Sequence, residues 1–201
     1  MKIAVGSENN KGIRLLTINV NNIEANQLIK DTIYKQIKNE NNIYIVCVGT
    51  NRSTGDSFAP FVGTYLEENN IKNVIGTIDN PCHASNLDER LSEIPNDAYV
   101  IALDASLSKS ESIGNINIIK GQLEPGIGVN KRLTSFGDLT ITYNVNIDSK
   151  NIKMNYKILS NTKISVIIKG AKICAKSITD AIDTIYKNLI INNEKLRLIS
   201  K

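Results

Sequence analysis

Apolar residues recur in this chain with two periods, one of helices and one of strands. From Ile23 to Ile37, the residues Ile23, Leu28 or Ile29, Ile33 and Ile37 return to one side, which predicts a helix. The unbroken run Ile43-Tyr44-Ile45-Val46-Cys47-Val48 predicts a buried strand, and it ends in a polar, glycine-punctuated loop, Gly49 to Gly55, followed by Asp56. Pro60 suits the first turn of the next helix, whose apolar face is Val62, Tyr65 and Leu66 and which breaks at Asn69-Asn70. A strand from Asn73 to Ile78, a short helix from Ala84 to Leu91 and a strand from Tyr99 to Leu103 complete a βαβαβ rhythm, and the last strand delivers Asp104. Ser112 to Ile119 predicts another strand, Gly121 to Gly128 a glycine- and proline-rich loop. In Leu139 to Ile147, Ile141, Tyr143 and Val145 alternate with Thr140, Thr142 and Asn144, the pattern of an edge or half-exposed strand. Ile164, Ile167 or Ile168, Ala171, Ala175, Ile178, Ile182 and Ile185 then hold a helical period across Thr162 to Leu189.

No repeat or low-complexity linker divides the chain. The pattern predicts a single α/β domain over residues 1–201, with an irregular leader at 1–22, a sheet-forming core at 43–147, a closing helix at 162–189 and a basic tail at 190–201.

Composition narrows the possible partners. With 41% hydrophobic and 22% charged residues the chain has an ordinary globular balance. Its net charge of +4 is not gathered into a basic stripe, and with 5% aromatic residues and no Trp it offers no stacking platform, so no nucleic-acid partner is predicted. The amino terminus lacks an uninterrupted apolar h-region, and no stretch reaches the length of a membrane span, which predicts a cytosolic protein without a membrane partner. The 3 cysteines, Cys47, Cys82 and Cys174, form no C-x-x-C and read as reduced thiols.

Candidate chemistry lies just past two strand ends. In open α/β sheets ligands bind outside the carboxyl ends of the strands, so Asp56 and Asp104 can meet although far apart in sequence. Each also reads as a local structural residue, Asp56 as a helix cap and Asp104 as a strand-end turn residue. Paired, they would share one proton and split their pKa values, so that one activates water while the other polarises a carbonyl. The Gly49 to Gly55 loop is not a P-loop: five residues separate the glycines, and Asp56 stands where a lysine is needed. Its Arg52, Ser53 and Thr54 fit a grip on a small anion or substrate. His83, the only histidine, falls on the same rim, where Asp56, His83 and Asp104 form a conceivable metal set. Cys82 is a poor partner for His83, since neighbours in an extended segment point apart. The glycines of Pro125 to Lys131 allow close backbone approach to an extended substrate, with Gly126, Gly128 and Asn130 as binding candidates. Asp138 reads as a turn residue.

Taken together, Val48 to Ser57, Ala59 to Gly63, Gly76-Thr77-Ile78, Pro81 to Leu87, Ile101 to Ala105, Leu123 to Val129 and Gly137-Asp138 closely resemble the YyaC-type sporulation proteins, in order across Ile43 to Ile185. That family is similar to the germination protease of spore formers and, more distantly, to the hydrogenase maturation endopeptidases. The resemblance implies a three-layer α/β/α sandwich with a central mixed, mostly parallel sheet, of the phosphorylase/hydrolase-like kind. It also implies a cytoplasmic endopeptidase of sporulating bacteria that needs no cofactor, takes protein or peptide substrates such as small acid-soluble spore proteins, and uses Asp56 and Asp104 as its catalytic aspartates. In the hydrogenase enzymes a later-loop His completes a nickel-sensing set, and the loop Gly126 to Lys131 here has none. Ser106-Leu107-Ser108 departs from the family's Cys, Leu, Gly, and Asn146 to Ser149 departs from its Ser-Gly turn. Two other functions remain open on the same fold: a peptide- or anion-binding regulatory protein without turnover, and a metal-dependent hydrolase.

Overall fold

The computed structural model describes residues 12–126 and 133–199. Six strands, β1 (Ile13–Asn19), β2 (Ile43–Cys47), β3 (Val74–Ile75), β4 (Tyr99–Ser108), β5 (Asn115–Lys120) and β6 (Leu139–Ile147), form one sheet in the order β1-β5-β6-β4-β2-β3. Pairing is parallel from β6 through β4 and β2 to β3, and β5 alone runs against its neighbours. Among the described residues five α-helices accompany the sheet: α1 (Ala25–Ile37), α2 (Phe58–Glu68), α3 (Leu87–Ser92), α4 (Ile152–Ser160) and α5 (Ile164–Ile199). This is the expected mixed, mostly parallel sheet flanked by helices.

Alternation decides which layer each strand residue joins. Ile45 and Cys47 of β2, Ile101 and Leu103 of β4, Ile116 and Ile118 of β5, and Ile141, Tyr143 and Val145 of β6 face a main core completed by Ile29 and Ile33 of α1, Phe58 and Val62 of α2 and Ile167, Cys174 and Ile178 of α5. Val46, Val48 and Ala102 point the other way, into a smaller core with Leu87 of α3, Cys82, Leu123 and Phe136. Tyr143 ties α5 down: its hydroxyl donates to the Val166 carbonyl at 3.1 Å, and a Cβ on Gly170 would lie 2.3 Å from its ring. All three thiols are buried and unpaired.

Several elements differ from the expectation. Residues 13–19, expected within an irregular leader, are β1, an edge strand on β5; a bulge between Arg14 and Leu16 breaks the period of two that would have marked it. β6, expected at an edge or half-exposed position, is central, because its polar face is satisfied by protein neighbours instead of water: Thr140 donates to the Gly121 carbonyl in the loop after β5 at 2.8 Å, and Asn144 accepts from Ser106 of β4 at 2.7 Å. The Asn73–Ile78 strand shrinks to Val74–Ile75, bounded by positive φ at Asn73 (57°) and Gly76 (94°). The closing helix expected at 162–189 is one helix, α5, and a helix that was not expected, α4, precedes it. Asn151 caps α4 by accepting from the Met154 N–H at 3.1 Å, and α5 continues to Ile199 through most of the expected tail.

Candidate functional site

A cavity of about 880 Å³ opens beyond the carboxyl end of β2 and alongside the second half of β4. Its polar lining includes Asp56 and Asp104, with Arg52, His83, Thr142 and Asp148, and its apolar wall includes Val48, Leu107, Leu123, Leu159 and Tyr156. The sheet places Asp104 there directly. Leu103 pairs with Cys47, the last residue of β2, so Asp104 is the first β4 residue past the end of its neighbour. Chain reversal places Asp56: Gly49 leaves β2 at φ 155°, the Thr50 N–H donates to the Asp56 carbonyl at 3.2 Å, and a single 3-10 turn, Gly55–Ser57, leads into α2. Any Cβ at Gly49 would lie 2.0 Å from that carbonyl oxygen, so only glycine permits this turn.

Neither aspartate occupies the local role that its sequence position allowed. Ser57, not Asp56, holds the cap position of α2, and β4 runs on to Ser108, which makes Asp104 a mid-strand residue. Enclosure of the Asp104 carboxyl, and then the negative charge of Asp56, raise its pKa from 3.8 to about 8; one Oδ1 hydrogen bond from the Ala105 N–H, 2.8 Å, pulls the other way and is outweighed. Burial and the charge of Asp56 thus favour the protonated form of this carboxyl at neutral pH.

The remaining candidates separate. Arg52, His83 and Gly126 line the cavity with the aspartates. His83 is held by its loop: its Nδ1 lies 3.0 Å from Ser85 Oγ, its N–H donates to Asn86 Oδ1 at 2.8 Å, and Asn86 Nδ2 donates to the Pro81 carbonyl at 3.0 Å. Ser53 and Thr54 do not line the cavity. The Thr54 carbonyl accepts from Ser57 Oγ at 2.6 Å, a contact that shapes the turn, and Ser53 Oγ is buried without a partner. Gly128 and Asn130 lie outside the described residues. Cys82 is buried with its thiol pushed up to about 11, unsuited to nucleophilic work. Asp138 accepts from the Val100 N–H at 2.8 Å and joins β6 to β4.

Tyr156, Leu159, Asp148 and Thr142 line the cavity without having been candidates. Tyr156 and Leu159 arrive on α4, which seats on the Asp56 loop so closely that a Cβ on Gly55 would lie 2.9 Å from the Leu159 carbonyl. Asp148 is fixed by Lys150 Nζ at 2.7 Å and Asn155 Nδ2 at 3.0 Å, which hold its carboxyl down at about 2. Thr142 carried a signal: the matching polar alternations Asn115-Ile-Asn117 and Thr140-Ile-Thr142-Tyr-Asn144 describe two strands that share a polar face.

The residues do not fit a metal. Among the described residues no group of three His, Cys, Asp or Glu side chains is arranged to hold one, so Asp56, His83 and Asp104 share a cavity without converging as a ligand set. No described helix is long and apolar enough to cross a membrane.

The acid pair lines a cavity beside a mixed sheet whose fold is known from a peptidase. The crystal structure of the [NiFe] hydrogenase maturation protease HycI from Thermococcus kodakarensis KOD1 matches with a TM-score of 0.52 and 17% identity, over 75% of this chain and 98% of that one. At that identity the likeness is one of fold. Sequence gives the particular family: residues 17–177 match the family described as "Protein of unknown function (DUF1256)", and the chain belongs to it. It is 39% identical over 145 residues, 69% of each chain, to the protein YyaC of Bacillus subtilis (strain 168). This is a YyaC-type protein on a hydrogenase-maturation-protease fold.

Proposed function

We propose that this protein is a cytoplasmic endopeptidase of sporulating cells in which Asp56 and Asp104 jointly activate water, with small acid-soluble spore proteins as its substrates. The observation that carries this reading is the pair itself: two carboxylates far apart in sequence line one cavity, and burial together with the charge of Asp56 raises the pKa of Asp104 to about 8. With Asp104 protonated, the pair holds both an acid and a base. The Asp56 carboxylate takes a proton from water as the water oxygen bonds to the peptide carbonyl carbon, while Asp104 gives its proton to the carbonyl oxygen. When the C–N bond of the resulting gem-diol breaks, the nitrogen takes the proton from Asp56 and one hydroxyl returns its proton to Asp104, which restores the pair.

The surrounding residues suit an extended chain. Leu107, Leu123, Leu159 and Tyr156 supply an apolar wall, and Arg52, His83 and Gly126 supply polar and backbone contacts at the rim. The test is incubation of purified wild type, Asp56→Asn and Asp104→Asn with small acid-soluble spore proteins, read by mass spectrometry. Cleavage by wild type alone is expected. No cleavage by wild type would instead point to a protein that binds on a peptidase fold without turnover.

A further inference from the structure

The sheet face that carries Asp104 is polar well beyond the cavity. Thr17, Asn117, Thr142 and Asp104 are register partners on β1, β5, β6 and β4 and form one row. Of that row, Thr142 and Asp104 line the cavity.

Hydrogen-bond chemistry fixes the direction of every group along it. Arg14 Nη1 donates to Asn117 Oδ1 at 2.6 Å and to Thr17 Oγ1 at 3.0 Å, and Thr17 Oγ1 passes its own proton to Asn117 Oδ1 at 2.9 Å. A guanidinium only donates, so the Asn117 amide has one orientation: its oxygen faces Arg14 and its nitrogen faces β6. That nitrogen lies 3.3 Å from Thr142 Oγ1 and 3.3 Å from Asn144 Oδ1. Asn144 is itself fixed, since its Nδ2 donates to the Ser112 carbonyl at 3.0 Å. An amide nitrogen also only donates, so Thr142 Oγ1 accepts there, which leaves the single proton of this cavity-lining residue for a partner other than Asn117.

We infer that Thr142 is a catalytic residue, the donor that receives the substrate carbonyl oxygen beside Asp104, and that Arg14 and Asn117 are positioning residues that aim and polarise it. The inference rests on the peptidase reading and adds a part that the aspartates cannot supply. As water adds to the carbonyl carbon, the π pair moves onto oxygen; Asp104 protonates that oxygen, and Thr142 hydrogen-bonds to it, keeping its own proton throughout. Fixed donors aimed at developing charge cost no reorganisation at the moment of reaction. A hydroxyl whose oxygen accepts from a cation-linked amide is also a stronger donor.

The experiment follows cleavage of a fluorescence-quenched mixed peptide library by wild type, Thr142→Val, Thr142→Ser, Arg14→Met and Arg14→Lys. Valine keeps the shape at 142 and removes the proton, so kcat is expected to fall about a hundredfold, the scale of one oxyanion donor, with KM little changed; serine restores most of it. Arg14→Met, on the edge strand, is expected to lower kcat several-fold without moving KM, and Arg14→Lys to retain it. Wild-type kcat in Thr142→Val would overturn the inference and leave the peptidase reading standing. Unchanged kcat in Arg14→Met would overturn the relay. A wild type that cleaves nothing in the library or in the spore proteins would overturn both readings together.

Discussion

Replacing Asp104 by Asn should make the protein more stable, and only at high pH. In wild type the folded pKa is raised from 3.8 to about 8, so between these values the folded state binds more protons than the unfolded one. Stability then falls as pH rises, beginning above the unfolded pKa and levelling off once the folded carboxyl has ionised. The full displacement corresponds to a ceiling of about 6 kcal/mol at about 1.4 kcal/mol per pK unit. Only part of that range lies between pH 5 and pH 9, and Asp104 borders a cavity that water can enter, so we expect about 2 kcal/mol over this window. The amide of the Asp104→Asn variant cannot ionise, so that variant loses nothing over the same range. The assay is urea unfolding of both proteins at half-unit pH steps, read as the difference between their curves. Asp56→Asn removes the second cause of the shift, so its curve should bend at lower pH than wild type. Parallel curves for wild type and Asp104→Asn from pH 5 to pH 9 would refute the claim that folding favours the protonated form of this carboxyl.

Gly49→Ala should lose several kcal/mol or fail to accumulate, because its Cβ would meet the Asp56 carbonyl at 2.0 Å at a φ of 155°; urea midpoints check this. Ile18→Ala, which trims the buried side chain by which β1 joins the main core, should cost about 2 to 4 kcal/mol in the same assay, whereas an unstructured leader would tolerate it. Cleavage should survive dialysis against a chelator, as the acid pair needs no metal; loss of activity restored by one added divalent ion would contradict the dyad mechanism.

Much of the site was legible because an apolar run precedes each aspartate, Ile43 to Val48 before the Asp56 loop and Tyr99 to Leu103 before Asp104. The helices α1 and α2 were equally plain, since Ile29, Ile33 and Ile37, or Val62 and Leu66, keep their period. What hid was set by tertiary partners. β1 was masked by its bulge. β6 looked like an edge because Thr140, Thr142 and Asn144 are polar, yet the hydrogen-bonding neighbours that bury them lie on β4, β5 and the loop after β5. Tyr156 and Leu159 reach the cavity only because α4 docks on Gly55, about a hundred residues earlier in the chain, and nothing in a local pattern records that contact. Thr142 showed in the sequence only as part of a polar alternation, while its hydrogen bond to Asn117, which in turn accepts from Arg14, joins strands that lie far apart in the chain.

The most direct test of the paired-carboxylate account is the pH profile of kcat/KM for spore-protein cleavage by wild type, with Asp56→Asn and Asp104→Asn run alongside. The account predicts a descending limb near pH 8, where Asp104 loses the proton it must donate, and no measurable cleavage by either variant. A rate that holds level to pH 10, or full activity in either variant, would contradict it.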